Sequence, residues 1–599
     1  MELPQLRQLC EEIRQFLVQN VAKTGGHLAS NLGIVELTVA IERVFDTSTD
    51  RLLFDVGHQS YVHKLLTGRR EAFAGLRTYG GMAGFPKPEE SETDAFVAGH
   101  ASSSVSTALG MARARTLLKQ DYHVLALLGD GAMTGGLAYE GMNDAGESHE
   151  PLIVILNDNG MSITPNVGGI AQHLSVLRTR AGYFRLKKFY RSVTRRLPGG
   201  QAIYRFSHKL KERWKRMLLG STLFEEMGFE YYGPVDGHDL ERLDYMLRLV
   251  KEKKRPVLLH VITQKGRGYT PAEVKPDVFH GIGSFDPESG KPPHCAHLPS
   301  FSETFGKTLC EIAAQEPRVC AITAAMVHGT GLAGFAEQFP NRCFDVGIAE
   351  GHAVAMAGGL AKQGMIPVVA VYSTFLQRAY DMLLQDVAML NLHVVFGVDR
   401  AGLVGEDGET HQGVFDINYL RSVPGMQILC PSNQAELEIM LRRAVLEMDG
   451  PVAVRYPRGC DGKLALAVSE PVLREGRDIT LISYGSLINQ VMEAADLLAQ
   501  QGISAEVLKL ASVKPLDIAP IVASVRKTGR LLVAEEAVCI GCVGKELAAL
   551  LRMSGIAVPT KLVNIGDRFV PHGAVQKLYE MLGLDAKSLS KTAQEVLKR

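Results

Sequence analysis

The chain has 599 residues, room for three or four domains of about 150 residues each. Hydrophobic residues make up 46% and charged residues 22%, while Lys+Arg and Asp+Glu both number 65. These values describe an ordinary globular protein with no overall charge to draw it to nucleic acid or an anionic membrane, and neither is expected as a partner.

The first residues, MELPQLRQLCEEIRQF, mix acids and bases and do not read as a signal peptide. No apolar run of about 18 residues follows that would span a bilayer. Strand-like runs then recur with helical segments between them: 123–130, 151–158, 255–263, 366–373, 392–399, 479–485 and 529–536. Each is rich in Val, Leu and Ile without alternation, as in strands covered on both faces. Strand–helix–strand repetition predicts an α/β fold of doubly wound domains with mostly parallel sheets. Polar, Gly/Pro-rich joints at 281–300 and 457–478 divide the chain into 1–296, 297–470 and 471–599. The nine cysteines are few and irregularly spaced, which fits reduced thiols in a cytoplasmic protein.

The most specific signal is GDGAMTGGLAYEGMNDAGESHEPLIVILNDN, residues 129–159. One strand ends in Gly129-Asp130-Gly131, a helix follows, and the next strand ends in Asn157-Asp158-Asn159. In a parallel sheet both ends lie on one edge, so Asp130 and Asn159 can offer hard oxygens to a magnesium ion. The flanking glycines let a diphosphate approach the helix N-terminus. A dinucleotide site fits poorly, because an Asp stands between the glycines and the third glycine is misplaced. The bland alternative is a coincidental strand–turn–helix.

GDG followed by NDN resembles the magnesium–thiamine diphosphate signature of transketolase-like enzymes. That resemblance implies Asp130, Asn159 and the Met161 carbonyl as metal ligands, with Gly131, Ala132 and Asn159 at the diphosphate. Further strings resemble the 1-deoxy-D-xylulose-5-phosphate synthase family from end to end. They include GGHLASNLGIVELTVAI (25–41), FDVGHQSYVHKLLTGRR (54–70), GHASSS (99–104), QKGRGYTPAE (264–273), FDVGIAEGHAVAMAGGLA (344–361), DRAGLVGEDGETHQG (399–413) and DRFVPHG (567–573).

Membership of this family implies a transketolase-like fold with a diphosphate/magnesium domain, a pyrimidine domain and a C-terminal domain. It implies thiamine diphosphate and Mg2+ as cofactors, pyruvate and glyceraldehyde 3-phosphate as substrates, and a homodimer. The product would be 1-deoxy-D-xylulose 5-phosphate, feeding isoprenoid, thiamine and pyridoxal synthesis. Glu350 would be the catalytic acid that hydrogen-bonds the cofactor's pyrimidine ring, a role suited to a buried carboxyl of raised pKa. His58, Gly99, His100, Ala101 and Tyr269 would line the cofactor pocket. His27 and His411 would face substrate and move protons. Arg400 and Arg458 would take the acceptor's phosphate, with Tyr372, Arg378, Asp407 and His280 completing the substrate site. A transketolase-like carboligase with another donor is the alternative enzyme, and a catalytically silent paralogue the alternative outside catalysis.

Four features stand apart. Residues 178–216 hold 14 Lys or Arg against one acid, Glu212, which reads as a solvated segment that attracts anionic substrates rather than a nucleic-acid site, and the family resemblance implies a cover near the active site there. Cys539-Ile540-Gly541-Cys542 lacks a second pair and reads as ordinary thiols. Gly351 stands where the family pattern has Gln, and Val327-His328 where it has a Pro-containing pair.

Overall fold

The computed structural model describes residues 1–161, 168–179, 222–292, 298–464 and 470–598. Among the described residues seventeen strands form three sheets, and each of the seven apolar runs contains one of these strands. The described chain gathers into two compact units, one of residues 1–76 and 82–293 and one of residues 77–81 and 294–599.

The first unit is built on one parallel sheet. Its strands are β1 (Arg51–Phe54), β2 (Val124–Gly129), β3 (Ile153–Asp158), β4 (Glu230–Asp236) and β5 (Val257–Ile262), in the order β1-β2-β3-β5-β4. Side chains alternate across a strand. One set, including Leu125, Leu127, Ile155 and Leu259, therefore packs against the helices Val35–Val44 and Leu240–Lys251. The helix Gly136–Ser148 carries the chain from β2 to its neighbour β3 and packs on the helix Ser104–Leu117. Gly146 of that helix lies so close to the Met227 carbonyl that a Cβ would sit 1.7 Å from its oxygen.

The second unit holds two sheets. One has the order β15-β10-β11-β9-β8-β6-β7, from β6 (Val319–Thr323), β7 (Cys343–Asp345), β8 (Ile366–Tyr372), β9 (Val395–Asp399), β10 (Gln427–Leu429), β11 (Val452–Arg455) and β15 (Ser512–Lys514). The other has the order β12-β14-β13-β16-β17, from β12 (Val472–Arg474), β13 (Ile479–Ser483), β14 (Ala505–Lys509), β16 (Leu531–Ala534) and β17 (Thr560–Val563). All pairings are parallel except β10–β15 and β12–β14. Two observations explain why these sheets form one unit. Strand β15, late in the chain, pairs with β10 of the earlier sheet. One apolar cluster also joins Phe396 and Val398 to Ile482, Leu508 and Val533. Among the described residues no helix is long and apolar enough to cross a membrane.

Candidate active site

In the first unit, Gly129 pairs with Asn157 across β2 and β3, so the two strand ends emerge side by side. Asp130 follows at once and is buried. Its Oδ2 accepts the Gly160 N–H at 2.7 Å and its Oδ1 the Gly131 N–H at 3.1 Å. Asn159 Oδ1 accepts the Met161 N–H at 3.0 Å. Gly160 has φ 78°, a left-handed turn that glycine adopts without a Cβ clash and that aims its amide at Asp130. A cleft of about 310 Å³ opens here, lined by Asp130, Gly160, Gln172, Leu174 and Ser175.

The donors at this edge are carboxylate, amide and carbonyl oxygens. Among the described residues no group of three or more His, Cys, Asp or Glu could hold a metal. Such a set fits magnesium, which takes few protein oxygens and fills its octahedron from phosphate and water.

The Gly99–Ala101 loop is pinned to the same edge. Ser102 Oγ donates to the Ala132 carbonyl at 2.8 Å, and buried Asp55 accepts the Ser102 and Ser104 amides at 2.7 and 3.1 Å. Asp55 was not singled out in the sequence, although it stands inside the FDVGH string. His100 is half-buried in this loop.

Of the histidines His27, His58, His100, His280 and His411, three cluster. The ring centroids of His58 and His280 lie 4.9 Å apart, those of His27 and His58 5.7 Å, and those of His27 and His280 6.0 Å. Fully buried Asn31 sets this arrangement: its Nδ2 donates to the carbonyls of His27 (2.6 Å) and His58 (2.8 Å). Burial, then Lys265 and the other two rings, hold the His280 imidazole well below the usual histidine range. Burial also brings the Lys265 ammonium down to about 8, against the pull of Asp130 and Asp277. Lys265 was another omission, legible only as part of the QKGRGY string. Tyr269 stands differently from the others: its hydroxyl donates to the Pro287 carbonyl at 3.0 Å and its ring packs on Phe279 and Phe285.

In the second unit, Glu350 opens the helix Glu350–Lys362, 4% exposed. Burial pushes its carboxyl up, and Arg378, whose Nε lies 4.0 Å from Oε2, pulls it partly back. The strand ends of β8 and β9 bring Tyr372 and Arg400 together, with the guanidinium 3.8 Å from the ring centroid. Phe375 stacks on Tyr372 and meets His411 edge-on. Burial keeps the His411 imidazole below its usual range. Asp407 accepts a hydrogen bond from Arg77 at 2.7 Å. Arg458 is held by the Val404 carbonyl and Glu406, with 44% of its side chain exposed.

Beneath Arg400, fully buried Asp399 accepts the Ser302 hydroxyl at 2.6 Å. Burial raises its carboxyl to about 6, against Arg400, Ser302 and Arg458. Its neighbour in sequence was singled out and Asp399 was not.

The departures from the family pattern are also located. A Cβ on Gly351 would come within 3.1 Å of Met382 Cε, so the methionine tip occupies that space. His328 is exposed, while the next residue, Gly329, packs directly under the Tyr372 hydroxyl. Burial pushes the Cys542 thiol up to about 11, far from a reactive thiolate. Residues 180–216 of the basic segment lie outside the described residues.

Residues 298–460 match the pyrimidine binding domain of transketolase, and residues 470–589 the transketolase C-terminal domain. With three α/β sheets, this makes the chain an enzyme of the transketolase type, a transferase. Residues 1–263 match the family described as 1-deoxy-D-xylulose-5-phosphate synthase. The chain is 47% identical to the 1-deoxy-D-xylulose-5-phosphate synthase of Heliobacterium modesticaldum, over 99% of this chain and 93% of that one. It is 49% identical to that of Desulforudis audaxviator, over 98% of this chain and 94% of that one. A solved split-gene transketolase, titled an inactive beta4 tetramer, is 31% identical over 50% of this chain and 98% of its own, with a TM-score of 0.46. The chain belongs to the 1-deoxy-D-xylulose-5-phosphate synthase family.

Proposed function

We propose that this protein condenses pyruvate with D-glyceraldehyde 3-phosphate, releasing carbon dioxide and giving 1-deoxy-D-xylulose 5-phosphate. The reading is carried by one observation: the Asp130–Gly160–Asn159 oxygen loop, in a chain almost half identical, along nearly its whole length, to synthases of that name. Thiamine diphosphate, when bound, supplies the electron sink for loss of carbon dioxide from a 2-oxo acid.

The chain's own residues then have separable tasks. Asp130, Asn159 and the Met161 carbonyl hold Mg2+, and Gly131 and Ala132 approach the diphosphate. His58, Gly99, His100, Ala101 and Tyr269 serve cofactor binding. His27 faces substrate and moves protons, His280, whose buried imidazole is held well below the usual histidine range, completes the substrate site beside it, and Lys265 adds a cation suited to a carboxylate. Glu350, kept from water, shares a proton with the pyrimidine ring. Arg400 and Arg458 take the acceptor phosphate, Tyr372, Arg378 and Asp407 complete its site, and His411 faces substrate and moves protons.

The same reading takes 1–296, 297–470 and 471–599 as the three functional segments of a cytoplasmic homodimer. It assigns the product to the isoprenoid, thiamine and pyridoxal routes. Carbon dioxide release from labelled pyruvate is the test, with purified protein, both cofactors, and glyceraldehyde 3-phosphate present or withheld. Release that needs both cofactors and rises sharply with the aldehyde is expected. Tight cofactor binding without release would turn the assignment to another donor or to a silent paralogue.

A further inference from the structure

Behind the metal loop runs a line of polar side chains, two fully buried and one half-buried, that the proposed chemistry does not use. Asp158 ends β3, His260 lies on β5 and Tyr231 on β4, three strands adjacent in the sheet. Asp158 and His260 are both 0% exposed. His260 Nε2 lies 2.9 Å from Asp158 Oδ2, and the Tyr231 hydroxyl 2.8 Å from His260 Nδ1.

A carboxylate only accepts, so Nε2 donates to Asp158, and Nδ1 shares a second hydrogen bond with the tyrosine hydroxyl. The line continues on the other side of Asp158. Its Oδ1 accepts the Gly160 N–H at 3.3 Å, the same amide that donates to Asp130 Oδ2 at 2.7 Å. Asp158 is thereby turned away from the cleft, although it stands next to Asn159.

The outer end reaches the cleft wall. Tyr231 stacks on Phe224, with centroids 6.1 Å apart, and Phe224 meets His173 edge-on at 6.3 Å. His173 belongs to the helix Gly169–Thr179, whose Gln172, Leu174 and Ser175 line the cleft. Packed polar side chains in a dry interior have one satisfied arrangement, and a gap anywhere along them loosens the rest.

We propose that Tyr231, His260 and Asp158 are positioning residues for the metal-ligand loop, fixing Gly160 and with it Asn159 against Asp130, and tying the cleft-wall helix to that loop. The inference rests on the reading of Asp130 and Asn159 as magnesium ligands. Groups that orient ligands from behind commonly change metal affinity by roughly 10- to 100-fold.

The test uses the full-length protein with thiamine diphosphate and Mn2+ as the probe, its binding followed by electron paramagnetic resonance. Tyr231→Phe keeps the ring stack and removes only the O–H, and His260→Gln removes the imidazole. Circular dichroism melting is recorded for each variant. We expect Mn2+ to bind roughly tenfold more weakly to His260→Gln and about threefold more weakly to Tyr231→Phe. The KM for glyceraldehyde 3-phosphate should stay unchanged in both. If His260→Gln does not fold, Tyr231→Phe decides alone.

Folded variants that bind Mn2+ as the parent does would overturn the proposal and reduce the line to sheet packing. An Asp130→Asn control separates the two readings. If it binds Mn2+ as well as the parent, or the parent binds none, the metal assignment fails and this inference falls with it.

Discussion

Arg378 Nε stands 4.0 Å from Oε2 of Glu350, and the carboxyl it faces is all but sealed from water. Burial favours the neutral acid and the guanidinium favours the anion, so this group is poised to share a proton rather than simply hold a charge. Glu350→Gln should lower kcat by about a hundred- to ten-thousandfold, the range for a lost acid–base group. The sign of its effect on stability follows from the raised pKa. The parent's contribution from Glu350 is full below the unfolded value of 4.5 and is lost as pH rises through the folded value. Melting temperatures of parent and variant should therefore shift in the variant's favour between pH 4.5 and 8. An activity loss smaller than tenfold would remove Glu350 from the chemistry.

The Arg400 guanidinium lies 3.8 Å over the Tyr372 ring, a flat cation on a flat face. Lysine keeps the charge but neither the stack nor the two-pronged contact with phosphate. Arg400→Lys is expected to raise KM for glyceraldehyde 3-phosphate about tenfold, while carbon dioxide release from pyruvate alone changes little. Steady-state kinetics with each substrate varied in turn will separate the two effects. Equal loss in both would place Arg400 in general folding instead.

Asp399 yields a prediction about pH. Its carboxyl rises from 3.8 to about 6, so the folded protein binds a proton that the unfolded chain releases across that window. Stability from this group is full below pH 3.8 and is lost by the time pH passes about 6. A shift of this size is on the order of 3 kcal/mol. Asp399→Asn retains an oxygen for the Ser302 hydroxyl and cannot ionise. Urea unfolding at pH 4.5 and 7.5 should therefore find the variant gaining on the parent at the higher pH, and a gap that narrows instead would refute the account.

Gly351 tests tolerance beside Glu350, the acid proposed above. Its missing side chain is replaced in space by the tip of Met382, 3.1 Å from where a Cβ would be, and a thioether tip moves readily. Gly351→Gln should cost about 1–3 kcal/mol in stability, the lower end if the Met382 tip moves aside. It should also change the ratio of kcat/KM between phosphorylated and unphosphorylated glyceraldehyde. Identical kinetics with every acceptor would mean that the position has no part in substrate choice.

Much of this was legible in the amino-acid string because it depends on neighbours in sequence. Apolar runs such as VLALLG and IVILND are continuous because both faces of their strands are covered, and that pattern needs no partner to be read. The two strand ends carrying Asp130 and Asn159 could be set on one edge from parallel topology alone. Other placements were not legible. Tyr269 and Arg458 stand in family strings, yet one hydroxyl is bound by Pro287 and one guanidinium pairs with Glu406 at the surface. Identity of a string says which residue is present, not which group its side chain has found.

The sequence settled the α/β class and the strand ends of β2 and β3 that carry Asp130 and Asn159, because short-range periodicity and chain geometry encode both, whereas Glu350 was marked out only by resemblance to the family strings. Tertiary structure alone decided that Asn31 draws His27 and His58 together, that Lys265 is buried beside His280, that Arg77 finds Asp407, and that β15 joins an earlier sheet. Those outcomes depend on burial and on pairings between residues far apart in the chain. Water exclusion is a property of the packed interior, and no window of sequence contains it.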